Sequence, residues 1–247
     1  MSNSWDQLAL HRHAYLKEGK DKTFKDLLLP KIKEILREAS DINNLEVLDV
    51  GCGTGFLTEI ISHQVKKVVG IDSSQQSIDV AKKHVSDNEN IQVECVSIED
   101  FAPKHSNEFN FAIAHMTLQT IENLDEAILG ISTVLKSHGK FLFSIPHPCF
   151  WASIKSEIGN NNYKYHIQSA HENTFYFSED LQISVPYFHR SLEAYSLALK
   201  RNGFSIMQIY EPFPTDELMK KYDRPWFSPG FLFMLCRKDE LEGKHEQ

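Results

Sequence analysis

Cysteine is scarce in this chain and widely spaced. Cys52, Cys95, Cys149 and Cys236 are the four in 247 residues, and no two form a C-x-x-C pair. Neither a zinc site nor a disulfide framework is therefore expected, and a reducing compartment fits best. Long apolar runs are also missing, since none approaches the ~20 residues that a membrane-spanning helix needs. The N-terminus, MSNSWDQLALHRHAY, lacks the cationic start and apolar core of a secretory signal. These absences lead to the expectation of a soluble, cytoplasmic protein with no membrane partner. Basic charge is in deficit: 26 Lys and Arg against 34 Asp and Glu leave a net charge of −8. That balance disfavours broad attraction to nucleic acid or anionic lipid. Two familiar nucleotide loops are absent as well. A G-x-G-x-x-G fingerprint would need glycine where Phe56 stands, and a Walker loop would need a G-K-[ST] end that Phe56-Leu57-Thr58 does not supply.

What is present is Asp49-Val50-Gly51-Cys52-Gly53-Thr54-Gly55, between the apolar pair Val47-Leu48 and a periodic stretch that begins Phe56-Leu57. The order is strand, tight glycine turn, helix. Without Cβ atoms in the way, backbone in such a turn can come into contact with a ligand. A carboxylate two residues before the first glycine suits a cationic ligand better than a pyrophosphate.

The rest of the chain repeats the strand–helix alternation. Strands are expected at 46–50, 67–71, 91–95, 109–114 and 140–145, with helices over about 24–39, 56–65, 75–85 and 124–136. Pro30 falls near a helix start or a break. After Pro146 the rhythm changes, and residues 147–190 read as an inserted hairpin or cap, with alternating runs at 173–177 and 182–185. The pattern resumes with a helix over 191–202 and strands at 204–210 and 230–236. The expected fold is α/β and Rossmann-like: seven strands in a mostly parallel sheet, helices on both faces, and a cap inserted after strand 5.

VLDVGCGTG (47–55) resembles the first motif of class I S-adenosylmethionine-dependent methyltransferases. The resemblance covers about residues 24–146 and 190–237. It implies one methyltransferase domain over 1–247, with a helical segment at 1–45 and the substrate side at 147–190. It also implies S-adenosyl-L-methionine as cofactor, with S-adenosyl-L-homocysteine as product. In that family the loop, here Gly51, Cys52, Gly53 and Gly55, wraps the cofactor's amino-acid end, and the acidic residue, here Asp49, bonds its ammonium.

Asp72 ends the second strand 21 residues after Gly51. A carboxylate there can accept two hydrogen bonds from a ribose diol, with Ser73 beside it, and it can also cap the following helix. At the third strand end Ser97 stands where the family commonly has Asp for the adenine amine. Ile98 can offer its N–H and pack the ring, and Glu99 is a possible substitute. After the fourth strand the resemblance sets His115 and Met116 against the cofactor, mostly through backbone, and Gln119 towards the substrate. Trp5, Arg12, His13 and Tyr15 resemble the segment that closes over the cofactor in relatives, and Tyr15 is the contact expected among them.

An oxygen nucleophile usually needs deprotonation, and histidine suits that task. Of 12 histidines, His147 stands at the carboxyl end of the fifth strand between two prolines, and His189 stands where the insert returns to the fold. Both are candidate bases. Trp151, Tyr187 and Arg190 are candidate substrate contacts, because aromatic inserts wall small-molecule pockets. The expected activity is methyl transfer to a small, partly apolar acceptor, with oxygen somewhat favoured. Two rivals remain open. One is an RNA methyltransferase with a basic surface at Lys164, Lys200, Arg201, Lys220 and Lys221; the other is a cofactor-binding regulatory module without catalysis.

Overall fold

The structure is a computed structural model that describes residues 4–38, 41–151, 164–177 and 181–240. Helix α1 (Ser4–Lys17) comes first, then a π-helical turn at Phe24–Leu28 that runs into α2 (Leu29–Arg37). Pro30 lies in the first turn of α2. It has no N–H to donate, and its ring crowds the carbonyl one turn earlier, so the helical stretch over 24–39 divides beside Pro30, where a helix start or break is expected, into the π-turn and α2.

The βα repeat follows: β1 (Glu46–Val50), α3 (Phe56–Ser62), β2 (Lys67–Asp72), α4 (Gln75–His84), β3 (Ile91–Cys95), α5 (Ile98–Phe101), β4 (Phe109–His115), α6 (Leu124–Val134) and β5 (Leu135–Pro146). Strand β5 starts five residues before the expected 140, on a stretch whose pairing with β4 shifts register between Phe109 and Phe111. The insert pairs β6 (Ser169–Tyr176) with β7 (Gln182–His189) as a separate antiparallel hairpin. Then come α7 (Leu192–Arg201), β8 (Phe204–Tyr210), α8 (Asp216–Tyr222) and β9 (Phe231–Lys238). Helix α8 lies between the last two strands, and the Thr215 hydroxyl caps it by accepting from the Leu218 N–H.

The main sheet has the order β3-β2-β1-β4-β5-β9-β8. Strands β1 to β5 pair in parallel, and β9 runs antiparallel to both neighbours. One core lies between the sheet and α5, α6 and α7, and includes Leu48, Ile71, Ile128, Phe141 and Leu199. The other lies under α2 and α3 and includes Ile32, Ile61, Phe111 and Phe233. With both faces covered, the central strands β1, β2 and β4 are buried along almost their whole length, as interior parallel strands require. A third, small core joins Leu8 of α1 to Ile183 and Val185 of β7. It lies above the carboxyl ends of the parallel strands, where open α/β sheets bind ligands. Among the described residues no helix is long and apolar enough to cross a membrane.

Candidate cofactor and acceptor site

A cavity of about 730 Å³ lies between those strand ends and the α1–hairpin roof. The glycine loop forms its floor. Gly51, Gly53 and Gly55 have φ of 71°, 56° and 83°. The N–H groups of Gly51 and Cys52 both donate to the Ile71 carbonyl, at 2.8 and 3.0 Å, which folds the loop over β2. A Cβ on Gly51 would sit 2.4 Å from Thr117 Cγ2, while one on Gly53 would meet nothing within 4 Å. Gly53 therefore leaves its open face to the cavity. Gly55 does not line the cavity. It caps the start of α3 and fits against Ala81 of α4 and Val85 just after it, so its lack of a side chain serves helix packing.

Two carboxylates hold this floor. Asp49 is 1% exposed and accepts the Thr58 hydroxyl at 2.7 Å. Burial pushes its pKa up to about 7, against the Thr58 bond and with help from the Asp72 charge. Asp72 accepts the Gly53 N–H at 2.9 Å on one oxygen and the Ser74 N–H at 2.8 Å on the other. Ser74, not Asp72, caps α4 through the Ser77 N–H. Asp72 thus braces the glycine loop from the next strand and keeps further lone pairs for a ligand. Burial raises its pKa too.

At the end of β3, Ser97, Ile98 and Glu99 line the cavity. The Ser97 hydroxyl accepts the Asp100 N–H and donates to the Asp100 carboxylate, so it serves mainly as the cap of α5.

Beyond β4, Met116 adopts φ 56°, a left-handed conformation that costs a non-glycine residue about 1–2 kcal/mol. Its peptide is held from both ends: the N–H donates to the Ser144 carbonyl at 2.9 Å, and the carbonyl accepts Gln119 Nε2 at 2.6 Å. A carbonyl can only accept, so that contact fixes which end of the Gln119 amide is nitrogen. His115 is the histidine in the lining, with Nδ1 2.6 Å from Ser144 Oγ. Burial lowers its pKa to about 4, with Arg12 acting the same way and Asp21 opposing.

The roof is aromatic and aliphatic. Trp5, Leu8, Ala9, Arg12 and Leu16 line it from α1, and Phe175, Val185 and Tyr187 line it from the hairpin. Trp151 stacks on Tyr187 with ring centroids 4.0 Å apart. Asp6 pins α1 to the start of α4 by accepting the Ser74 hydroxyl and the Gln76 N–H. Arg12 pairs with Asp21 at 2.6 Å. Among the described residues, Asp21, Asp49, Asp72 and Glu99 face the cavity against one permanent cation, Arg12, so the site favours a cationic ligand.

Most of the expected contacts meet in this one cavity: Asp49, Gly51, Cys52, Gly53, Asp72, Ser73, Ser97, Ile98, Glu99, His115, Met116, Gln119, Trp151 and Tyr187. Tyr15, His147, His189 and Arg190 fall outside it, as does Gly55. Tyr15 turns off the lining face of α1, towards Phe177 and a second cavity. The lining residues of α1 recur at positions 5, 8, 9, 12 and 16, a helical stripe that is the available signal for Trp5 and Arg12. His147 is 2% exposed, and both ring nitrogens are engaged: Nδ1 accepts the Cys149 N–H and Nε2 donates to Glu211 at 2.7 Å. His189 donates Nε2–H to the Tyr165 carbonyl, and burial lowers its pKa. Arg190 is buried and donates to the carbonyls of Leu118, Ile121 and Glu122, which ties the end of the cap to the segment after β4. His147 does stand at the strand end, but side-chain direction depends on partners distant in the chain.

A family profile described as a methyltransferase domain matches residues 41–210. An S-adenosylmethionine-dependent methyltransferase from Listeria monocytogenes superimposes with a TM-score of 0.65 at 29% identity, over 84% of this chain and 96% of that one. Two curated relatives are called ubiquinone biosynthesis O-methyltransferase. The one from Chromobacterium violaceum is 30% identical over 150 residues, 58% of this chain and 64% of its own. The one from Coxiella burnetii is 29% identical over 134 residues, 54% and 57% respectively. The matched region thus spans less than two thirds of those relatives' lengths. Fold, strand-end site and profile define one class of protein: the chain belongs to the methyltransferase-domain family.

Proposed function

We propose that this enzyme methylates oxygen on a small, partly apolar acceptor enclosed beneath α1 and the hairpin. The observation that carries the reading is the division of one cavity into an acidic, glycine-lined floor and an aromatic roof. The floor has the chemistry to hold S-adenosyl-L-methionine. Gly53 leaves an open cradle, and Asp49 is a buried carboxylate whose raised pKa a cationic ligand would bring back down. Asp49 takes the ammonium, Asp72 the ribose diol, and Ile98 packs the adenine. When bound, the cofactor supplies a sulfonium-borne methyl group for in-line displacement. The chain's own part is alignment and a dry site. Trp5, Trp151, Phe175 and Tyr187 wall the acceptor, and Gln119 faces it. Burial keeps His115 neutral and disfavours its imidazolium, so with Nδ1 engaged by Ser144 its Nε2 is suited to accept a hydrogen bond from the acceptor hydroxyl rather than to hold its proton.

The chain forms one methyltransferase unit over 1–247, with α1 and the β6–β7 hairpin supplying the roof; residues 152–163 and 178–180 of the insert lie outside the described residues. The curated relatives, O-methyltransferases by name, support the choice of oxygen. The RNA reading loses ground because Arg201 is held by Asp125 and Lys221 by Asp26. The test is transfer of labelled methyl from the cofactor to a panel of phenols, alcohols, amines, thiols and RNA. Label in an ether product is expected; label confined to RNA, or to nitrogen or carbon acceptors, would refute the reading.

A further inference from the structure

A second cavity of about 330 Å³ opens between the Lys20–Leu27 stretch and α8 with the segment after it. Its volume is in the range of small-ligand sites. Its chemistry is opposite to that of the main cavity. Lys20, Lys22 and Arg224 line it in a chain of net charge −8, and its one carboxylate among the described residues, Asp21, is already paired with Arg12. Lys20 pairs with Glu18. Among the described residues Lys22 and Arg224 have no ion-pair partner. Lys22 Nζ lies 4.6 Å from the centre of the Tyr222 ring, and Arg224 Cζ lies 5.5 Å from that of Trp226. A cation over an aromatic face keeps outward-pointing N–H groups, so both can still donate to an anion. Tyr222 is itself fixed, because its hydroxyl donates to Asp26. Trp226 donates its backbone N–H to Met219 Sδ at 3.3 Å and packs against Phe231, which lines the main cavity. Asp21 and Thr23 line both cavities and form part of the wall between them.

We propose that this second cavity is a binding site for a small organic anion with a flat, apolar body. Lys22 and Arg224, held over Tyr222 and Trp226, take the charged group, and the apolar lining of Leu27, Leu218 and Met219 takes the ring. The site is separate from the methyl-transfer reading and stands or falls without it.

The full chain, saturated with S-adenosylhomocysteine, would be titrated calorimetrically with 1-naphthoate and with 1-naphthamide, which keeps the ring and loses the charge. Saturable naphthoate binding is expected, with the amide weaker by about tenfold or more, the scale of a lost charge-assisted contact. Lys22→Glu and Arg224→Glu should each weaken naphthoate by about tenfold or more, while affinity for S-adenosylhomocysteine and the melting temperature hold. Equal binding of acid and amide, wild-type naphthoate affinity in both variants, or no saturation by about 10 mM would overturn the proposal. Should S-adenosylhomocysteine itself fail to bind, the same titrations without it still decide the question.

Discussion

The floor of the main cavity is made of backbone and carboxylates at the ends of hydrogen-bonded parallel strands, whereas its roof is made of side chains from a helix and a hairpin outside that sheet. Glycine conformations, the Ile71 carbonyl and the Asp72 carboxylate lock the floor residue by residue. The roof rests on a small core around Leu8, Ile183 and Val185, with Asp6 as a tether. A floor of that kind tolerates almost no change, while a roof of side chains can change its lining without disturbing the sheet. The cofactor half and the acceptor half of the site should therefore respond to mutation in different ways.

The largest effect is expected at Gly51. Gly51→Ala would place a Cβ 2.4 Å from Thr117 Cγ2 at a positive φ. The conformation alone costs about 1–2 kcal/mol, and relief of the clash would displace the loop, so cofactor affinity should fall by about a hundredfold or more. Adding Thr117→Gly should recover part of it, as isothermal titration would show. Full affinity in Gly51→Ala would mean that the floor is softer than its hydrogen bonds indicate.

Asp49 sharpens the comparison through pH. Its folded pKa, near 7, lies above the ordinary 3.8, so the stability it contributes to the ligand-free protein is fully present below 3.8 and is lost as pH rises through about 7. A cationic ligand favours the ionised form and reverses that preference. Cofactor affinity should then rise between about pH 6 and 8, and Asp49→Asn should flatten the rise. The variant should bind cofactor tens of times more weakly, roughly 2 kcal/mol, without a drop in ligand-free melting temperature at pH 8. An unchanged pH slope in Asp49→Asn would remove the ammonium role.

The roof should answer more mildly and in a different parameter. Trp5→Leu keeps an apolar residue on the α1 stripe but loses ring area over the cavity. Acceptor KM should rise several-fold, about 1 kcal/mol, while cofactor affinity stays the same. An equal loss of cofactor affinity would show that floor and roof act as one unit.

The same division separates what is legible in the sequence from what is not. Asp49–Gly55 and Asp72 are placed by local rules, since strand ends and a glycine turn follow from neighbours in the chain. The hairpin is visible as two alternating runs, although both strands are longer than the runs. The face of α1 that turns inward is readable from the 5, 8, 9, 12, 16 spacing, yet nothing local says that it meets a cap more than 160 residues away. Ser97 is a mixed case: its departure from the usual Asp is visible in sequence, but its role as the α5 cap emerges only from the Asp100 contacts. Arg190 resembles a pocket residue because charge so close to an aromatic insert suggests binding. Its partners are three carbonyls about seventy residues earlier in the chain, which no motif announces.

His147 gives the smallest expected effect and the sharpest test of direction against position. It stands at the strand end where catalytic groups gather, but Nδ1 accepts the Cys149 N–H and Nε2–H donates to Glu211. Neither nitrogen can take an acceptor proton without breaking one of those bonds. The Trp151 N–H donates to the His147 carbonyl at 2.8 Å, so this residue shapes the turn that delivers Trp151 to the cavity. His147→Gln should cost about 1–2 kcal/mol of stability through the altered hydrogen bonds. It should change kcat by less than about threefold and leave the pH–rate profile in place. A fall of a hundredfold with a lost basic limb would instead make His147 the proton acceptor, and would require the ring to leave Glu211 during turnover.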